Sequence, residues 1–278
     1  MHEPKAGLIV NADDFGYYPW VNEGILQLAS AGTVTAAGVL ANGVDLPFWL
    51  ARLRRETQAD VGVHLNLTSG RPLTAALAAR LAARGGEFPG IAGLAGLVLR
   101  GGLSLALIRQ EWRAQIETVR AGGEIRFLNS HQHIHMWPPL FGLSLELARE
   151  FKAPHVRVSQ AGPLLPANLA GCLRGGALQA LAWLNGREAL GGQSPLLGLN
   201  QSGRLDAAYL RRLLPRLRPG RVYELMCHPG LAAEAEVPPR IAAYHAWARE
   251  FELLRGPEFA ALLREQGVEL TYFRESIR

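Results

Sequence analysis

Short apolar runs alternate with longer amphipathic segments along nearly the whole chain, and that alternation limits the fold more than any other feature. The runs fall at 8–10, 33–41, 61–68, 125–131, 155–159, 221–227 and 268–273. Between them, residues 18–31, 44–57, 104–121, 139–152, 206–217, 239–254 and 258–266 read as helices. The punctuation agrees with this reading. Gly32 follows the first helical segment, Ser104 can cap the third, Gly122 and Gly123 close it, and Pro257 and Gly267 bracket the last. About seven strands alternating with helices call for parallel pairing with helical crossovers. With no internal repeat and no flexible linker, residues 1–278 read as one domain. Residues 161–200 carry only Arg174, Arg187 and Glu188 as charges and read as a helical insertion or lid.

Parallel α/β folds gather their working residues at the carboxyl ends of the strands. Here those ends carry Asp13 and Asp14, then His64, then His131, His133 and His135, then Arg157, then His228. On an extended chain the three histidines at i, i+2 and i+4 would share one face, and Asn129 would share it with them. Such a face suits a divalent metal better than a hydrophobic core. One carboxylate and two neutral imidazoles hold a metal while leaving room for water and substrate. Two adjacent aspartates on an extended chain point opposite ways, so one can ligate while the other takes a proton from water.

Composition narrows the partners. The net charge is +5 and the isoelectric point about 9.6. The arginines, however, are spread along helical segments, and no nucleic-acid motif accompanies them, so no nucleic-acid partner is expected. Two cysteines, Cys172 and Cys227, make no disulfide framework and suit a reducing compartment. The apolar stretch 94–108 is interrupted at Arg100-Gly101-Gly102 and falls short of the ~18 residues a membrane span needs. No stable membrane insertion and a cytoplasmic location are expected, with a homodimer as the base-rate assembly.

The residues also resemble a known family, the YdjC/ChbG-like carbohydrate deacetylases. The matching stretches are 8–16 (LIVNADDFG), 62–68 (GVHLNLT), 70–73 (GRPL), 128–136 (LNSHQHIHM) and 226–230 (MCHPG), in the family's order. The resemblance implies a distorted (β/α) barrel of about seven strands and metal-dependent removal of acetyl groups from N-acetylated sugars. It implies Asp14, His64 and His131 as ligands of one divalent ion, magnesium or zinc ahead of manganese, cobalt and nickel. Asp13 would be the base and His228 the acid that protonates the leaving amine. Asn129, His133, His135, Arg157 and Trp137 would support these groups or face the substrate. Tyr17, Tyr18 and Trp20 also flank the rim and could stack on sugar rings. Asn129 stands where the chitooligosaccharide enzymes of the family carry Asp. Other readings of the same residues are a deacetylase of a lipid-linked amino sugar, a metal-dependent phosphoesterase or amidohydrolase, and a binding protein on an inactive barrel.

Overall fold

The first strand runs through the middle of the molecule. A computed structural model of the protein describes residues 4–159, 169–185, 194–233, 235 and 237–276. Its strands are β1 (Ala6–Phe15), β2 (Ala36–Val39), β3 (Asp60–Leu65), β4 (Phe127–Ser130), β5 (His155–Val156), β6 (Leu196–Leu197), β7 (Val222–Cys227) and β8 (Val268–Leu270). They lie in the order β5-β4-β3-β2-β1-β7-β6, with β8 paired to the first residues of β1. Every pairing is parallel. The sheet curls into an incomplete barrel wrapped by helices, the distorted α/β barrel expected from the sequence. Leu8, Ile9, Val10 and Ala12 of β1 are all fully buried, as a strand covered on both faces requires.

The helices begin and end where local chemistry dictates. The Ser104 hydroxyl accepts from the Leu107 amide and opens the helix Leu105–Arg120. Gly32 takes φ +76 just past Pro19–Ser30, and Gly267 takes φ +60 just past Pro257–Glu265. Residues 206–217 form a helix only over Ala207–Leu213 and then tighten into a 3₁₀ turn.

Several sequence readings are corrected. The helix over 239–254 is two, Pro239–Tyr244 and Trp247–Arg255, because the Ala246 amide leaves the helical ladder to bond the Gly203 carbonyl. The last strand stops at Leu270, and Phe273–Ser276 is helical. The fourth strand stops at Ser130. His131–Met136 then coils as 3₁₀ turns, with Gln132 and His133 both at positive φ. The three histidines and Asn129 therefore share no strand face. Within 161–200 the structure shows a helix at Leu169–Asn185 and the short strand β6, which joins the sheet beside β7. The sequence reading missed that strand. Residues 161–168 and 186–193 lie outside the described residues.

Candidate metal centre and catalytic pocket

Asp13 and Asp14 lie within β1 near its carboxyl end, yet they do not point opposite ways as a regular strand would require. The β1–β2 register shifts between Ala12 and Phe15, and Asp14 adopts φ +69. A bulge of this kind re-aims side chains, and both carboxylates flank the ring of His64. Asp14 Oδ1 lies 3.2 Å from His64 Nε2 and Asp13 Oδ1 lies 3.8 Å from His64 Nδ1. The bulge stays tight because the Tyr17 amide bonds the Asp14 carbonyl and the Gly16 amide bonds Asn22 Oδ1. Gly38 on neighbouring β2 keeps the space open. A Cβ there would come within 3.1 Å of Asp13 Oδ1 and 3.3 Å of His64 Nδ1.

The next strands deliver the imidazoles. His64 on β3 faces Asn129 on β4 in direct register. His131, the first residue beyond β4, places Nδ1 2.8 Å from Asp14 Oδ1. Ligand atoms of Asp14, His64 and His131 all lie within 4.8 Å of one another, and the three residues are buried.

The hydrogen bonds decide which atoms are free. Arg157 donates to both oxygens of Asp13, at 2.6 and 3.0 Å. Asn129 Nδ2 donates to Asp13 Oδ1 at 2.8 Å, which leaves Asn129 Oδ1 to accept from His64 Nδ1 at 2.7 Å. A His64 ring that donates through Nδ1 presents a bare lone pair at Nε2. That lone pair points at a carboxylate oxygen of Asp14. Two acceptors at 3.2 Å repel unless a proton or a cation lies between them. Asp14 Oδ2 is buried and has no hydrogen-bond partner among the described residues. The donor set, two imidazoles and one carboxylate with an orphaned oxygen, fits a divalent ion.

Electrostatics follow the same pattern. Burial opposes ionisation of Asp13, but Arg157, His64 and His228 outweigh it and hold the carboxyl far below its ordinary range. Burial likewise opposes ionisation of Asp14, and His131 and His64 overcome it. Burial pulls the His64 pKa down, whereas Asp13 and Asp14 pull it up, with a net rise.

Other expected residues divide. Arg157 is fully buried and also donates through Nε and Nη2 to Glu224 Oε1, at 2.9 and 2.5 Å. His135 bonds Ser130 Oγ through Nδ1 and the Arg157 carbonyl through Nε2, so both ring nitrogens are used inside the fold. Burial depresses its pKa to about 3, against the upward pull of its bond to the Arg157 carbonyl. His133 bonds Ser159 Oγ through Nδ1 and is held neutral by burial and Arg157. Trp137 caps the helix Pro138–Phe151 and packs partly buried on the core. No ring contact joins it to the site among the described residues.

His228 follows β7. Its backbone amide donates to Glu250 Oε2 at 2.6 Å, and its ring Nδ1 is buried without a partner among the described residues. The ring lies 5.3 Å from that of His245, which stacks on Trp247 at 4.9 Å. Tyr18 stacks on Trp20 and meets the edge of Trp247, while Tyr17 lies 5.5 Å from His131. These rings form one aromatic wall beside the pocket. Glu224, Glu250, Ser159 and His245 were missed as site residues. A charge inside the apolar run 222–227 was the available signal for Glu224; nothing local marked the other three.

A curled parallel sheet with a buried Asp-His-His cluster at the carboxyl ends of its strands defines an α/β barrel with a metal-type pocket. The family model of YdjC-like proteins matches residues 7–265, and the chain belongs to that family. It is 31% identical to a carbohydrate deacetylase of Mus musculus, covering 97% of this chain and 94% of the relative. It is 30% identical to one of Geobacillus stearothermophilus, covering 96% of each. The crystal structure of a candidate cellobiose-phosphate cleavage protein from Enterococcus faecalis V583 superposes with a TM-score of 0.73 at 23% identity, covering 99% of this chain and 100% of that one, and shares the fold.

Proposed function

We propose that the protein is a metal-dependent carbohydrate N-deacetylase. The observation that carries this reading is the buried cluster of Asp14, His64 and His131, with its ligand atoms within 4.8 Å and Asp14 Oδ2 unpartnered. The carbohydrate deacetylases among its relatives supply the substrate class. Asp14, His64 and His131 would hold one divalent ion, with magnesium and zinc the first to try and manganese, cobalt and nickel behind them. Such an ion acidifies water and polarises an amide carbonyl.

The chain's own groups supply the rest. Asp13, clamped by Arg157 and Asn129, stays ionised at neutral pH and is the group that takes a proton from the attacking water. Because its pKa is so depressed, it accepts only from an acidified water. His228 is close enough to Asp13 to help hold it ionised, its ring Nδ1 is unclaimed among the described residues, and it donates a proton to the departing amine. The products are acetate and a free amino sugar. Tyr17 and Tyr18, half-buried and backed by the buried rings of Trp20 and Trp247, give apolar ring surface against which a sugar packs. Asn129 does what an aspartate could not do without a proton: it donates to Asp13 while accepting from His64.

The test is acetate release from a panel of N-acetylated sugars by metal-stripped protein, with divalent ions restored one at a time. The expected result is no release without metal and release with at least one ion. Folded, metal-loaded protein that releases no acetate from any member would end this reading.

A further inference from the structure

The helix Gly90–Leu99 has no polar side chain in its ten residues, GIAGLAGLVL. A helix apolar on every side belongs inside a protein or a membrane. This one is inside neither. Only Leu94 is buried, with Ile91 and Leu97 partly packed on the core beside it. The opposite face, Ala92, Gly96 and Leu99, should be polar on an ordinary surface helix. Instead Leu99 is 86% exposed, and so are its neighbour Val98 and Leu105, which opens the next helix. The helix is about 15 Å long, half of what a bilayer core needs, so it can lie on a membrane but cannot cross one.

Charge says what covers it. The connection between β3 and the helix Leu105–Arg120, residues 66–104, holds Arg71, Arg80, Arg84 and Arg100 against a single carboxylate, Glu87. It therefore supplies +3 of the chain's net +5. Arg80 and Arg100 border the apolar helix directly, since they donate to the carbonyls of Gly102 and Gly96. Among the described residues neither meets a carboxylate in an ion pair, and Arg71 reaches Glu87 only at 3.7 Å. An apolar face rimmed by arginines complements the acyl and headgroup layers of an anionic lipid surface. A second copy of the chain would bring the same positive rim against itself.

We infer that the helix Gly90–Leu99 and its arginine rim form a peripheral docking site for an anionic membrane surface. The connection leaves the end of β3 that carries His64, so docking brings the metal pocket's end of the barrel near the bilayer. This inference stands on the surface alone and does not depend on the proposed reaction.

Flotation of the full chain with vesicles of phosphatidylcholine, alone or mixed with phosphatidylglycerol, tests it. The protein should float with the mixed vesicles at low ionic strength, not with the neutral ones, and should be released by salt. Leu99→Asp should abolish flotation. Arg80→Gln and Arg100→Gln should each weaken it by roughly fivefold. Thermal unfolding of each variant shows whether the fold is kept, and a double variant Arg80→Gln/Arg100→Gln, which leaves the apolar face intact, replaces Leu99→Asp if that one fails to fold. Failure of the wild type to float with anionic vesicles overturns the inference. So does concentration-dependent dimerisation that Leu99→Asp abolishes without any vesicle binding, which would make the face a contact between copies.

Discussion

Arginines and carboxylates meet at both ends of the barrel, with opposite consequences. At the carboxyl ends of the strands, Arg157 is fully buried between Asp13 and Glu224. Around it lie orphaned buried atoms, Asp14 Oδ2, Glu224 Oε2 and His228 Nδ1. At the other end, Arg54, Arg126 and Arg274 line a cleft with Asp60 and Glu124. There Arg54 bonds the carbonyls of Glu124 and Gly123, and the Arg126–Glu124 pair is exposed at 37% and 77%. The residue types are nearly the same. What separates them is water: the cleft is open to solvent and buried Asp60 is paired there with half-exposed Arg274, leaving Arg54 Nε as its unpartnered atom among the described residues, whereas the buried end keeps charges that only each other, or a ligand, can satisfy.

The largest effects are expected at the proposed metal pocket. Asp14→Ala should lose bound metal and acetate release together, by at least about a thousandfold in rate. Asp13→Asn should keep the metal, read by titration calorimetry, yet lose about 10²–10⁴ in kcat. Turnover retained by Asp13→Asn would remove Asp13 as the base. Next in size, Arg157→Met leaves Asp13 and Glu224 buried without their shared cation and should cost about 3–5 kcal/mol in urea unfolding. A loss below about 1 kcal/mol would put the two ends on an equal footing.

Acid should act in between. His135 and His245 are depressed to about 3 and His155 to about 4, chiefly by burial, so each is neutral in the fold. Unfolded, each takes a proton below about pH 6.5. The unfolded state then binds more protons, and stability falls as pH falls from about 6.5 toward 4, by up to about 1.4 kcal/mol per unit for each histidine. The depressed carboxyls of Asp13 and Asp14 add to the loss only below about pH 4. Melting temperatures measured across this range with chelator present should slope downward on the acid side; a flat profile would deny that the histidines are held neutral. Smallest of all, Arg126→Ala at the solvated end should change stability by less than about 1 kcal/mol.

The parallel α/β plan was legible because it rests on local signals: apolar runs, helical periodicity, and caps such as Ser104 and Gly267. The residues gathered at the pocket were legible too, since Asp13, Asp14, His64, His131 and His228 each fall at a strand end. Their directions were not. The equal spacing of His131, His133 and His135 looked like a strand face, but residues 131–136 coil, and tertiary bonds from His133 to Ser159 and from His135 to Arg157 help to hold that coil. The positive φ of Asp14 left no trace in the sequence either. The two-residue strand β6 is too short to show a period. Glu250 acts through the backbone amides of Leu205 and His228, contacts that no pattern of side chains announces.

The placement of β1 carries a last consequence, for the order of events during synthesis. The strand that bears Asp13 and Asp14 pairs with β7 along Gly7–Ala12 and with β8 along Ala6–Leu8. Those partners are made more than two hundred residues later, as the register Gly7↔Val222 records. A nascent chain that has emerged as far as His131, just past β4, already holds every residue of the cluster Asp14, His64 and His131, but its first strand still has one open edge. Closing that edge demands contacts between residues more than two hundred positions apart, which are slow to form. Metal capture is thus expected to report completion of the barrel, and a ribosome-stalled chain ending before β7 should bind the ion weakly.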